Sequence, residues 1–455
     1  ALRSCIKNIL QLPSVSDKGF LITIGDRSVT GLVARDQLIG PNQIPVSNFS
    51  ITKSDINSSS GQVLTMGERP SIATTSSIDS IDMSFGEIIT NLASVQIKQL
   101  DKIKLSANWM ANSSDKTELH NLYQSVDRLS SLCQKCNIII PVGKDSLSMS
   151  TKWKDTVNKE VKSPVSLILS AFSSIDDVND YVTPRSEVNS DLYLIDLGHG
   201  KNRMGGSALN QTLNITKNET PNIHDIDDLI NYFYLTQSLL SKKILNAYHD
   251  RSDGGLVTCL IEMAFASNMS VITDNFEINN SEIIKVLFNE ELGGVFAISK
   301  QNQKTFLSLV DKYNLTQCLH KIGNLKKDLN PKLSIQSMNY DESLSTLRKY
   351  WSELSYLIQS QRDNKKTALS EYKAKIQSHK HVKTTDTTRL TFSINLKPKR
   401  YLSTKKKPKI AIFREQGVNG HKEMANAFML AGFECFDVTT NDIINHPDIL
   451  NQYIG

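Results

Sequence analysis

The feature that most limits the fold is the rhythm of the apolar residues. Runs of strand length, each closed by glycine or a charged turn, alternate with stretches of helical periodicity. Leu21-Ile22-Thr23-Ile24 alternates and breaks at Gly25-Asp26, and Ile138-Ile139-Ile140 runs into Pro141-Val142. Val165, Leu167 and Leu169 alternate within 163–175, and Leu192-Tyr193-Leu194-Ile195 reads as a buried strand. Between them, 79–93 sets Ile81, Phe85, Ile88, Ile89 and Leu92 on one helical face, and 226–247 reads as one long amphipathic helix. Gly254-Gly255 opens another helix, and 288–298 reads as helix, Gly-Gly turn and strand. Such alternation predicts α/β or α+β packing. No run approaches the roughly 18 apolar residues of a membrane helix, so no membrane partner is expected.

At 455 residues the chain has room for about three domains of roughly 150 residues. Residues 1–185 form a first mixed block and 186–335 a second. A helical and then basic linker, 336–407, follows, with Leu344, Leu347, Trp351, Leu354 and Ile358 on one face. Residues 408–455 read as strand, helix and strand with apolar faces left open. A unit that small is marginal without staples, so the expectation is a chain cut within a larger domain.

The net charge of +5 is concentrated in Lys397, Lys399, Arg400, Lys405, Lys406, Lys407 and Lys409. With no aromatic platform beyond Tyr401, a solvated linker is the plainer reading, and nucleic acid is not an expected partner. Six cysteines include one C-x-x-C, Cys133 and Cys136, with no second pair or histidines to complete a zinc site. Packed free thiols in a reducing compartment, the cytosol, are expected.

Three strings could carry chemistry. Glu87 and Asn91, at i and i+4, offer a carboxylate and an amide oxygen on one helix face, which suits Mg²⁺; a polar helix face is the plainer alternative. His249-Asp250-Arg251-Ser252-Asp253-Gly254-Gly255 could ligate a cation and admit a phosphate at a helix start, or could be an Asp cap and a turn. Gly143-Lys144-Asp145-Ser146 follows a strand but lacks P-loop spacing; Lys144 could still serve an anionic substrate. Gly25-Asp26-Arg27 and Gly67-Glu68-Arg69 read as ion-paired turns, and Asn289-Glu290-Glu291 as acids at a surface helix end. The shared theme is acids, amides and glycine turns, as in Mg²⁺–nucleotide chemistry without a covalent side-chain nucleophile.

Together the strings IGDRSVTGLVARDQLIGPNQIPV (24–46), MGERP (66–70), GEIITNLASVQI (86–97), IKLSANWM (103–110), PVGKDSLSMSTKW (141–153), AYHDRSDGGL (247–256), FNEELGGV (288–295) and FREQGVNGHKEMANAF (413–428) resemble the large, fused form of phosphoribosylformylglycinamidine synthase. The resemblance implies a fold of the aminoimidazole-ribonucleotide-synthetase type, duplicated in the full enzyme and followed by a class I, flavodoxin-like glutaminase. This chain resembles the second duplicate, as an N-terminal-type domain (1–185) and a C-terminal-type domain (186–335), then the linker and the glutaminase start (408–455). It implies no catalytic residue here: the synthetase histidine would lie in the first half and the Cys-His-Glu triad beyond Gly455, so the chain alone is expected not to complete the reaction.

The reaction so implied uses ATP to phosphorylate the amide oxygen of formylglycinamide ribonucleotide, after which ammonia from glutamine displaces phosphate. The partners are those substrates and the rest of the same polypeptide. The ligands of Mg²⁺ and ATP or ADP fall on Asn48, Glu87, Asn91 and Asp250, with Ser47 and Ser252 touching the nucleotide; Lys144 and Ser146 are candidates for the substrate side. The family has Asp where this chain has Asn48, which keeps one neutral oxygen and loses a charge, so metal affinity should drop. The nucleotide of this half looks structural in the full enzyme. Two rivals are a superfamily relative, such as aminoimidazole ribonucleotide or selenophosphate synthetase, and a non-enzymatic nucleotide-holding scaffold. The FREQGVNGHKEMANAF string argues against the first, and Asn48 is the hint of the second.

Overall fold

The structure is a computed structural model that describes residues 2–24, 31–216, 218–274, 280–377, 391–393 and 406–455. Two sheets organise it. The first has six strands in the order Val33–Arg35, Ser50–Lys53, Gly61–Glu68, Ser166–Ile175, Lys104–Met110 and Ile139–Ser146. Every pair is antiparallel except the last. Along Gly61–Glu68 burial alternates strictly, so one face lies on the core and the other is open. The helix Ser77–Leu92 covers the inner face, its first turn capped by Ser76, which accepts a hydrogen bond from Asp79 N at 3.2 Å.

The second sheet has seven strands, in the order Leu245–Asp250, Gly293–Ile298, Ser190–Asp196, Leu319–Lys326, Ser270–Thr273, Lys332–Ile335 and Tyr340–Ser343. Its interior strand Ser190–Asp196 is buried on both faces. Tyr193 and Ile195 join one core with Tyr232, Phe296 and the inner face of the first sheet, whereas Leu192 and Leu194 join another with Phe265, Leu260 and Trp351. That explains the unbroken apolar run: a strand covered on both sides has no polar face. The first of these cores runs through both blocks without a break, which fixes the two sheets around a shared interface.

Several expectations are corrected. Leu21-Ile22-Thr23-Ile24 is no strand, because Gly19–Ile22 is a helical turn. The helix expected over 226–247 ends at Ser241; Lys243 turns the chain at φ 53°, and Leu245–Asp250 pairs with Gly293–Ile298. Apolar residues at 244, 245, 247 and 248 satisfy either period, and the sheet offers them a partner strand. At 288–298 the helix Asn280–Phe288 stops where the expected one began, and 289–292 is irregular and buried.

The linker drawn from 336 also begins too early. Tyr340–Ser343 is the edge strand of the second sheet, and the following helix, Leu344–Arg362, puts Leu344, Leu347 and Trp351 in its core. The N-terminal helix Leu2–Leu10 packs in the same core rather than with the first sheet. Trp351 Nε1 donates to Val15 O at 2.6 Å, and Arg348 donates to Asp17 Oδ2 at 3.1 Å. Residues 15–17 and the helix Leu344–Arg362 therefore close on each other. Gly25-Asp26-Arg27 and most of the basic run lie outside the described residues.

The last piece forms as expected: Lys409–Arg414 and Glu434–Thr439 are parallel, joined by the helix His421–Ala431. Phe413, Met424 and Met429 stay exposed. Among the described residues no helix is long and apolar enough to cross a membrane.

Candidate functional site

The helix Ser77–Leu92 meets the second sheet closely: a Cβ on Gly86 would stand 2.2 Å from Leu292 Cδ1. This approach carries Glu87 and Asn91, one turn apart, to the interface. Glu87 Oε2 accepts from the Glu68 amide at 3.0 Å, and Asn91 Nδ2 donates to Met66 O at 3.1 Å. From the opposite side, Leu245–Asp250 delivers His249 and Asp250 at its C-terminal end, where the chain turns into the helix Gly255–Ser267. That turn needs its glycines. Gly254 and Gly255 sit at φ 86° and 72°, and a Cβ on Gly255 would lie 2.6 Å from Asn289 O.

Asn48 ties the two sides together. Its Nδ2 donates to Asp250 Oδ1 at 3.0 Å, and its Oδ1 lies 2.7 Å from His249 Nδ1, whose ring reaches Glu262 at 2.7 Å through Nε2. Burial opposes protonation of His249, but Glu262 and Asp250 outweigh it and raise its pKa. Ser47 and Ser252 stand on either side, Ser47 Oγ on Phe49 O and Ser252 O on the Gly255 amide.

Arg69, almost fully buried, stands behind the acids of the site. It pairs with Asp253 and lies 3.5 Å from Glu87 and 3.6 Å from Glu290. One guanidinium does not neutralise this many acids. Burial, with Asp250 and Asp253 adding, lifts the Glu87 carboxyl to about 8 against the pull of Arg69. Burial raises Asp250 as well, with His249 and Arg69 opposing. A buried carboxylate and a half-buried one that each resist ionising form a place where a divalent cation is welcome.

A cavity of about 590 Å³ opens here, within the usual size of ligand sites. Its wall includes Ser47, Asn48, Glu87, Asn91, Asp250 and Ser252, which are the six residues expected for metal and nucleotide. Lys144 and Ser146 are not among them: they lie on the edge strand Ile139–Ser146, with Lys144 exposed and its Nζ on Ser146 Oγ at 2.6 Å. A strand after an apolar run can end anywhere on a sheet, and this one ends far from the cleft wall.

Sequence reasoning missed Lys18, Arg69 and Glu262. Lys18 lines the cavity, donating to Ser14 O and Ser16 O at 2.8 and 2.7 Å, and burial lowers its pKa against Glu262 and Asp253. The MGERP string was a signal for Arg69; nothing local marked Lys18. Nor are the acids of 289–291 a surface cluster. Glu291 is clamped by Arg203 at 2.8 and 2.9 Å, and Glu290 accepts from the Ala208 and Gly254 amides. Cys133 and Cys136 are packed thiols, lifted by burial to about 11 and 12.

Three domain families match the chain in order. The FGAR-AT PurM_N-like domain matches residues 17–174, the C-terminal domain of AIR synthase related protein 192–336, and the CobB/CobQ-like glutamine amidotransferase domain 407–455. The content and order of these matches support an FGAR-AT type of fused synthetase. The expected fold class, synthetase-type N- and C-terminal-like domains followed by a glutaminase-like start, agrees with these matches. Among solved structures, it is similar in fold to T. maritima PurL complexed with FGAR, at 9% identity and a TM-score of 0.53, over 76% of this chain and 53% of that one. T. maritima PurL complexed with ATP matches at 9% identity and a TM-score of 0.51, over 76% and 52%. The chain thus spans about half the length of these relatives.

Proposed function

We propose that the cleft holds a magnesium–adenine nucleotide, and that the chain serves a phosphoribosylformylglycinamidine synthase. That enzyme is an ATP-dependent C–N ligase of purine biosynthesis in the cytoplasm. The observation that carries this reading is the convergence of Glu87, Asn91 and Asp250 with Ser47 and Ser252 on one cavity at the domain interface.

The donor set fits the cation. Glu87, Asn91 and Asp250 offer hard oxygens, and burial and neighbouring acids (Asp250 and Asp253 for Glu87, Glu262 for Asp250) push the carboxylates toward protonation, which a divalent ion would reverse. Asn48 fits less well: its oxygen faces His249 and its nitrogen faces Asp250, so it must give up the His249 contact to become a ligand. Bound Mg²⁺ would neutralise the phosphate oxygens of the nucleotide. Ser47 and Ser252 would hold the nucleotide, and the left-handed Gly254-Gly255 turn would let backbone amides come near its phosphates.

For the whole protein we propose the conversion of formylglycinamide ribonucleotide to its amidine, with ATP and glutamine consumed. Its partners would be the first synthetase half and the remaining glutaminase. Lys144 and Ser146 remain proposed for the substrate side only if another part of the protein covers their open strand. The amidotransferase match at 407–455 supports this reading over synthetase relatives without a glutaminase. Calorimetric titration of Mg–ADP into the chain tests the site. Saturable binding that depends on Mg²⁺ and is lost in Glu87→Gln is expected; binding that is the same with EDTA would refute the shared cation.

A further inference from the structure

Away from this cleft, three segments of the second domain meet. His199 lies in the turn after the strand Ser190–Asp196, Asp228 in the first turn of the helix Ile226–Ser241, and Cys318 just before the strand Leu319–Lys326. His199 Nε2 is 2.7 Å from Asp228 Oδ2 and 3.6 Å from Cys318 Sγ, and the three ligand atoms all lie within 4.8 Å of one another. Among the described residues no other group of three His, Cys, Asp or Glu converges so closely.

We propose that His199, Asp228 and Cys318 form a zinc site, with the fourth position open on the side of His224. A thiolate, an imidazole and a carboxylate are borderline-soft donors that suit Zn²⁺ rather than Mg²⁺. In a tetrahedral zinc site, bonds of about 2.3 Å to sulfur and about 2.0 Å to nitrogen place those two atoms about 3.5 Å apart. The observed 3.6 Å already has that spacing, and the His199–Asp228 contact must widen.

The histidine is also held in place independently of the metal. It sits at φ 53°, a conformation few side chains adopt, and the Asp196 carboxylate fixes the turn by accepting from the Gly198 and Gly200 amides at 3.1 and 2.7 Å. The His224 ring packs 4.6 Å from that of His199. Cys318 and Asp228 are buried, whereas His199 is partly open and gives the ion a way in. Burial, with Asp228, Asp196 and Asp225 adding, pushes the Cys318 thiol up to about 12, so these acids oppose a thiolate until a cation sits between them. Binding would release the thiol proton to solvent and staple the two strands to the helix.

Cobalt substitution of the full chain, stripped with a chelator, tests this. One equivalent of Co²⁺ should give a thiolate-to-cobalt charge-transfer band that zinc abolishes and excess Mg²⁺ does not. The band should be absent in Cys318→Ser and unchanged in Cys133→Ser. His199→Gln should weaken zinc in chelator competition by at least about tenfold. No band in the unaltered chain, a band that survives Cys318→Ser, or unchanged zinc affinity in His199→Gln would each overturn the site. Should Cys318→Ser fail to fold, the unaltered chain and His199→Gln decide.

Discussion

Asn48 Nδ2 donates to Asp250 Oδ1 at 3.0 Å, across 202 positions of sequence, while its Oδ1 faces His249 Nδ1 at 2.7 Å. A neutral amide therefore bridges the first block to the second. Asn48→Asp removes the donor and sets a second acid against Asp250. Without metal it should lower stability by about 1–3 kcal/mol, read by urea unfolding in EDTA. With Mg–ADP it should tighten binding, read by calorimetry. Equally poor binding by the two proteins would show the ligand set to be wrong.

Glu87→Gln keeps the shape and drops the charge. Mg–ADP affinity should fall by at least about tenfold. The metal-free fold should lose little, because Arg69 keeps Asp253 and Glu290 as partners. Thermal unfolding with and without Mg–ADP separates the two effects: the ligand-induced rise should vanish while the baseline holds.

Glu87 and His249 give the fold a pH dependence of one sign. The folded pKa of Glu87, about 8, lies above its ordinary value near 4.5, so the native state binds the proton more tightly than the unfolded chain. Its contribution is present below about 4.5 and is lost as pH rises toward about 8. The raised His249 pKa acts likewise, its contribution fading as pH rises through the folded value. Stability in EDTA should therefore decline between pH 5 and pH 8, less steeply in Glu87→Gln, and Mg–ADP should flatten the decline by replacing the proton. A profile identical in Glu87→Gln would remove Glu87 as its source.

Asp17 is almost fully buried and accepts from Arg348, Ser352 and the Gly19 amide. Burial would raise its pKa, but Arg348 and Lys375 hold it lower. Asp17→Asn leaves the Arg348 charge enclosed, and breaking a buried pair from one side costs about 3–5 kcal/mol. Hydrogen exchange should then open Leu2–Leu10 and Leu344–Arg362 together, since both pack in one core. Protection unchanged in either helix would show that the two ends are held independently.

The helix Ser77–Leu92 was legible because its apolar residues recur with helical period, and period is a local property. The strand Ser190–Asp196 was legible for the same reason. Leu245–Asp250 was not, since five apolar-rich residues satisfy both periods and the neighbour that decides, Gly293–Ile298, lies some 45 positions on. Likewise Glu290 and Glu291 look like surface acids until Arg203 and the Gly254 amide are brought to them.

Sequence by itself determined the order of the blocks, the face shared by Glu87 and Asn91, and the Gly-Gly turn after Asp250. Each depends on residues within one or two turns of each other, where backbone geometry dictates which side chains are neighbours. Only the tertiary structure decided that Asn48 spends both ends of its amide, that Lys18 and Arg69 belong to the cleft, and that Lys144 stands outside it. A side chain's charge state and partners depend on what the fold packs against it and how much water it excludes, and neither is written in the residues beside it.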